Sequence, residues 1–342
     1  MKVERISHTL IVIALVLIFI IYSKVFLVPI ILAIVLWYLI NAVNLLVRMI
    51  PKIGRKIPNG ITLAFSTILI LIIIFSAGSL IGQTINRMIA TAPDYKVNLE
   101  QQLGRLLQAV GYTEPITLKS MAAEYDINGY LRDLLNSFST LAQQFLLVLL
   151  YTFFLLIEQH TFTRKIAALR LERERKENIK ILINNVNKAV RTYIGVKFAA
   201  SLATGLLSYM VIRYAGLDFA LFWAFLIFVF NFIPTIGSIV ATIFPSIIAL
   251  VQFDHLSPFF IVLIGVGVIQ VIIGGMLEPK LYGDSLNISP LVIVLSLVLW
   301  GLLWGIVGML LCVPITVILI NVFAQFDKTR PVAVLLSQNG KV

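Results

Sequence analysis

The chain is built from recurring, uninterrupted apolar runs of about 17 residues or more, each long enough to cross the roughly 30 Å hydrocarbon layer of a bilayer as a helix. Ile6 to Tyr22, Val25 to Val47, Ile61 to Ile81, Leu141 to Ile157, Ile194 to Ile212 and Phe259 to Leu277 are plain runs of this kind, and 219–252 and 291–323 are longer ones. They are continuously apolar rather than alternating, which predicts helices and not a transmembrane barrel. Hydrophobic residues make up 60% of the chain and charged ones 13%, too few charges to cover a water-exposed surface. The expected fold class is therefore all-α: a polytopic helical membrane protein with about eight hydrophobic segments in a lipid bilayer.

Charge orients these segments. Arg48, Lys52, Arg55 and Lys56 follow the second run with no acid among them, and 164–191 holds nine Lys/Arg against three Asp/Glu. The positive-inside rule places both stretches, and with them both termini, on the cytoplasmic side of a bacterial cell membrane. This topology accounts for the net charge of +11 without a nucleic-acid partner. Lys2 and Arg5 ahead of the first run resemble a signal-peptide head, but no small-x-small cleavage site follows, so that run reads as a retained helix. The single Cys312 excludes an intramolecular disulfide and a cysteine-based zinc site.

The expected organisation is three spans in 1–82, an extracytoplasmic amphipathic helical region in 83–140, a fourth span in 141–158, a basic amphipathic helix in 159–193, a C-terminal transport region in 194–324 and a cytoplasmic tail in 325–342. Leu99, Leu103, Leu106 and Val110, and again the set from Ile127 to Phe138, repeat at helical spacing and predict apolar faces that need cover.

The transport region holds the most informative pattern. Residues 219–252 are too long for one crossing and short for two, and their middle reads Asn231-Phe232-Ile233-Pro234-Thr235-Ile236-Gly237-Ser238. Pro removes a helical hydrogen bond and Gly relaxes the backbone, so the helix should break there. Residues 291–323 carry their own weak centre at Gly301, Gly305 and Gly308, and matching Pro245 to Pro314 brings Gly237 within two positions of both Gly305 and Gly308. One plain span separates the two segments, which predicts re-entrant helical hairpins in an inverted repeat. Irregular backbone at membrane depth survives only where protein or a watery cavity satisfies it, as in secondary transporters.

Glu278 to Leu291 reads Glu278-Pro279-Lys280-Leu281-Tyr282-Gly283-Asp284-Ser285-Leu286-Asn287-Ile288-Ser289-Pro290-Leu291, and it continues through Trp300-Gly301, Gly305, Gly308 and Pro314. With Asn231-Phe232-Ile233-Pro234-Thr235-Ile236-Gly237, this resembles the signature of the autoinducer-2 exporter family of bacterial permeases. Thr235 and Ser238 depart from the aromatic residue and the Pro that members often carry. The resemblance implies transport, either export of autoinducer-2 or a related small polar molecule, or exchange of sodium for protons, and it implies homo-oligomerisation.

Candidate pathway residues are Asn231, Pro234, Gly237, Glu278, Pro279, Gly283, Trp300, Gly305, Gly308 and Pro314. Asn231 offers an amide to a neutral polyol or a cation, or it caps the broken helix. Trp300 and Trp304 share a helix face and could stack on a ring, although packing is their commoner role. Glu278 falls at the end of its predicted span, a candidate proton or cation carrier at the mouth of a cavity or a solvated carboxylate. Lys197 sits one turn into the fifth span, where it can snorkel. Spans almost free of acids weaken proton antiport unless the Glu278 loop folds back into the protein. No zinc-peptidase motif, nucleophile elbow or Walker loop is present, so no enzyme and no cofactor are expected; Na+ or H+ are the candidate coupling ions. The leading reading is a secondary transporter of a small polar solute or monovalent cation working by alternating access. A sodium/proton antiporter, a passive pore and a membrane scaffold are the alternatives.

Overall fold

The computed structural model describes residues 11–12, 14–16, 18–50, 56–109, 145–159, 161–162, 164–165, 168, 172–283 and 286–340. The second predicted amphipathic stripe, from Ile127 to Phe138, lies outside them, as do Asp284 and Lys341. The described residues are helical almost throughout, and the only β feature among them is one bridge between Ile288 and Ser337. In chain order the helices are α1 (Lys24–Met49), α2 (Asn59–Ala109), α3 (Phe145–Gln159), α4 (Arg173–Tyr214), α5 (Ala220–Phe230), α6 (Ile236–Gln252), α7 (Ser257–Gln270), a π-helical segment (Val271–Leu277), α8 (Glu278–Tyr282), α9 (Pro290–Ala324) and α10 (Arg330–Leu336). Among the described residues, five stretches are long and apolar enough to cross a membrane: α1, Asn59–Met88 of α2, α4, Ser257–Tyr282 and α9. With the shorter apolar helices α3, α5 and α6, the chain is an all-α polytopic membrane protein. In hydrocarbon every backbone group needs an internal partner, and a helix supplies it within one segment.

Two helices run past the ends of the expected spans. α2 continues without interruption from the third span through Ala109, so Leu99, Leu103 and Leu106 of the first amphipathic stripe lie on the same helix. The basic amphipathic helix leads directly into the fifth span as one 42-residue helix, α4.

The chain divides into two compact units. The first comprises 1–43, 142–195 and 282–342. In it α1 packs on α3 through Phe26 against Tyr151, ring centroids 6.1 Å apart, and through Trp37 Nε1, which donates to Gln159 Oε1 at 2.9 Å. The segment before α9 is pinned by the chain end: Ser289 N donates to Leu336 O, and Gln338 N to Asn287 O.

The second unit comprises 44–141 and 196–281. Ile212, Phe222, Trp223, Ile227, Ala241, Val262 and Val266 form its core. α5 and α6 are the two arms of a hairpin. Between them Asn231 to Thr235 leaves the helix, and Thr235 sits at φ 61°, ψ −61°, a region costly for a β-branched residue. The turn is tight enough that a Cβ on Gly237 would lie 1.8 Å from Phe230 O. Gln252 closes the open end: its Oε1 accepts from Asp218 N at 2.8 Å and its Nε2 donates to Gly216 O at 3.2 Å.

In the first unit α9 carries a comparable break. Gly305 is non-helical at φ 65°, ψ −143°. A Cβ on Gly308 would lie 1.9 Å from Trp300 O, although eight residues of straight helix span about 12 Å. The halves of α9 therefore fold back on each other.

Candidate functional site

The second unit contains a charged pair sealed inside an apolar bundle. Lys197, on α4, and Glu278, the first residue of α8, are each 6% exposed. Lys197 Nζ donates to Glu278 Oε1 at 2.9 Å and to Oε2 at 2.8 Å. A lone buried charge costs far more than a neutral polar group, and two opposite charges survive together only when directly paired and further hydrogen-bonded. The further bonds come from the α5–α6 break. Asn231, at the C-terminus of α5 and 3% exposed, donates through Nδ2 to Ser201 Oγ at 3.1 Å and lies 3.4 Å from Glu278 Oε1. Ser201, fully buried, is one turn beyond Lys197 on the same face of α4. Phe198 and Phe228 meet edge to face at 5.6 Å and Phe228 meets Phe232 at 5.5 Å, an aromatic wall beside the network.

Local sequence explains each placement. Pro234 has no N–H to continue the ladder of α5, so the chain leaves the helix, and Asn231 keeps a backbone bond to Ile227 O while its amide turns inward. The π segment just before Glu278 adds backbone to the turn and shifts the face on which every later residue emerges. Glu278 thus points into the unit rather than to the exposed side taken by Met276 and Leu277.

Two of the expected residues therefore meet, Asn231 and Glu278. Pro234 and Gly237 shape the same break, and Pro279 follows Glu278 in α8. Gly283, at φ 48°, ends that helix. Trp300, Gly305, Gly308 and Pro314 lie in the other unit along α9, where the Trp300 and Trp304 rings pack at 4.8 Å and Trp304 Nε1 donates to Ile20 O at 3.2 Å. Two expectations are corrected. Glu278 is not a solvated span-end carboxylate, because the helix begun at Ser257 continues to Tyr282. Lys197 does not snorkel, because its amine has a buried carboxylate within reach. Ser201 is a further member of this network beyond the expected residues, and its signal is a pattern: Lys197, Ser201, Thr204 and Ser208 recur at 4, 3, 4 spacing inside an apolar run, a polar stripe legible in the sequence.

A bundle of spanning helices with a buried charged network beside a broken helix is the architecture of a membrane transport protein. The sequence profile of the AI-2E family transporter matches residues 10–328. A putative transport protein of Haemophilus influenzae is 32% identical over 82% of this chain and 83% of its own length. The AI-2 transport protein TqsA of Escherichia coli is 31% identical over 84% and 83%. A putative transport protein of Borreliella burgdorferi is 38% identical over 58% and 56%. The chain belongs to the AI-2E transporter family, and it is a multi-pass membrane transporter.

Proposed function

We propose that this chain is a secondary transporter moving a small polar solute by alternating access, with Lys197, Glu278, Asn231 and Ser201 as its coupling centre. The carrying observation is the Lys197–Glu278 pair, buried and bonded to the residue at which the α5–α6 hairpin breaks. A buried pair is weak evidence of a stability role, since apolar replacements of similar volume are often no less stable. Its expense points to work done when the pair opens. In this reading the α5–α6 and α9 hairpins re-enter the membrane as the two halves of an inverted repeat, both termini are cytoplasmic, and the name of the relative TqsA supports an autoinducer-2-like cargo.

Reconstituted vesicles loaded with candidate solutes under imposed sodium and proton gradients test the proposal. Uphill flux that falls at least about tenfold in Glu278→Gln, the loss expected when a charge-assisted contact goes, supports it. Flux indifferent to both gradients overturns it.

A second reading, sodium/proton exchange, is favoured by one observation: Glu278 brings a carboxylate into a buried place beside a broken helix, an oxygen ligand of the kind a proton or sodium ion takes once Lys197 moves off it. Proton movement on sodium addition to vesicles without solute distinguishes it.

A further inference from the structure

The polar face of α4 does not stop at Ser201. Thr204 and Ser208 continue it, both fully buried, so the stripe from Lys197 covers about 16 Å of helix. Thr204 is satisfied within the helix, its Oγ1 donating to Ala200 O at 2.8 Å. Ser208 differs. Among the described residues its Oγ has no hydrogen-bond partner, and neither do Trp223 Nε1 and both polar side-chain atoms of Gln270. Their residues are 0%, 4% and 7% exposed.

Packing within the second unit brings these three to one level. α4 runs antiparallel to the helix 257–282, because Lys197 meets Glu278 at one end and the Val211 side chain backs onto Gly265 at the other. Gln270 therefore falls opposite the stretch from Thr204 to Ser208. α4 also runs antiparallel to α5, because Ser201 meets Asn231 and Gly205 abuts Ala224 and Phe228. Trp223 therefore falls opposite Ser208, and it shares a core cluster with Val266, one turn from Gln270.

An unmet buried donor or acceptor costs about 1–3 kcal/mol, so four such atoms in one layer need a reason. Their chemistry supplies one. The indole N–H donates, the hydroxyl and the carboxamide both donate and accept, and none of the three side chains carries a charge. An ion here would be uncompensated, whereas a neutral molecule bearing hydroxyl and carbonyl oxygens could satisfy every group once the side chains of Ile212, Val262 and Val266, which pack the core here, part to admit it.

We propose that Ser208, Trp223 and Gln270 form a second binding site, for an uncharged hydroxyl-rich solute, beyond the Lys197–Glu278 pair on the same face of α4. The proposal rests on the transport reading above. The test uses full-length protein in vesicles with Cys312, the sole thiol, replaced by Ala and with Ser208→Cys introduced. A small methanethiosulfonate should label the new thiol, excess D-ribose should slow labelling by about tenfold, sodium chloride should not, and Gln270→Leu should remove the protection. Absent labelling, labelling equal with and without D-ribose, or protection by sodium chloride instead overturns the site. If protection fails while flux still depends on Glu278, this site falls and the transport reading stands. If protection holds while flux ignores both gradients, the site stands and the transport reading falls.

Discussion

At the first break, between α5 and α6, the chain turns through Asn231 to Thr235 with a strained Thr at its tip and a buried amide facing an ion pair. At the second, within α9, it turns at Gly305, and the tip side chains are apolar or aromatic: Trp300, Trp304, Met309. Both depend on one device, a glycine on the returning arm set against a carbonyl of the outgoing arm, Gly237 against Phe230 O and Gly308 against Trp300 O. Backbone geometry is thus common to the two and chemistry belongs to one. The difference teaches that a broken helix does not by itself gather polar chemistry; at the first break α4 and α8 bring charge to it.

The largest effect should come from the shared device. Gly237→Ala and Gly308→Ala each force a Cβ into a backbone carbonyl that cannot step aside, and each should cost more than about 3 kcal/mol, read as lost yield of folded protein or a collapsed melting temperature in detergent. If one is tolerated, the two turns are not built alike. Next is Lys197→Ala, which strands the Glu278 carboxylate and should destabilise by about 3–5 kcal/mol. The double change Lys197→Met with Glu278→Leu should recover most of that stability in thermal melts while leaving gradient-driven flux abolished. Recovery of flux as well would strip the pair of its role. Gly305→Ala meets open space but keeps a positive φ closed to most residues, so a loss of about 1–3 kcal/mol is expected. Smallest is Trp304→Phe, which deletes one bond to Ile20 O and should cost about 1 kcal/mol with gradient coupling unchanged. Loss of coupling there would give the second break a share in the chemistry.

Both breaks were legible in the sequence because Pro234 and the glycines act through the backbone, where one residue decides the outcome. Glu278 and Asn231 were legible as candidates for a similar reason, being scarce polar side chains near apolar runs. Their union with Lys197 was not. It depends on where α7 ends, and hydropathy ended that helix at Leu277 because Glu278 is charged, whereas the backbone carries on through it. Gln270 escaped notice within the plain span from Phe259, where a single amide barely moves a hydropathy average. Ser201 and Ser208 were hidden likewise, since their spacing is informative only beside Lys197 and once the face of α4 is known to be buried.

The π-helical segment Val271–Leu277 has a consequence for how the protein tolerates change in length. Each residue of an α-helix advances the azimuth by about 100°. A π segment holds one residue more in the same turn than an α-helix does, so a one-residue deletion within 271–277 that relaxes it to α geometry leaves Glu278 close to its present azimuth and still facing Lys197. The same deletion in the α-helical stretch Ser257–Gln270 would swing Glu278 by about 100° relative to the start of that helix, with spans and hydropathy intact and the two charged partners out of phase.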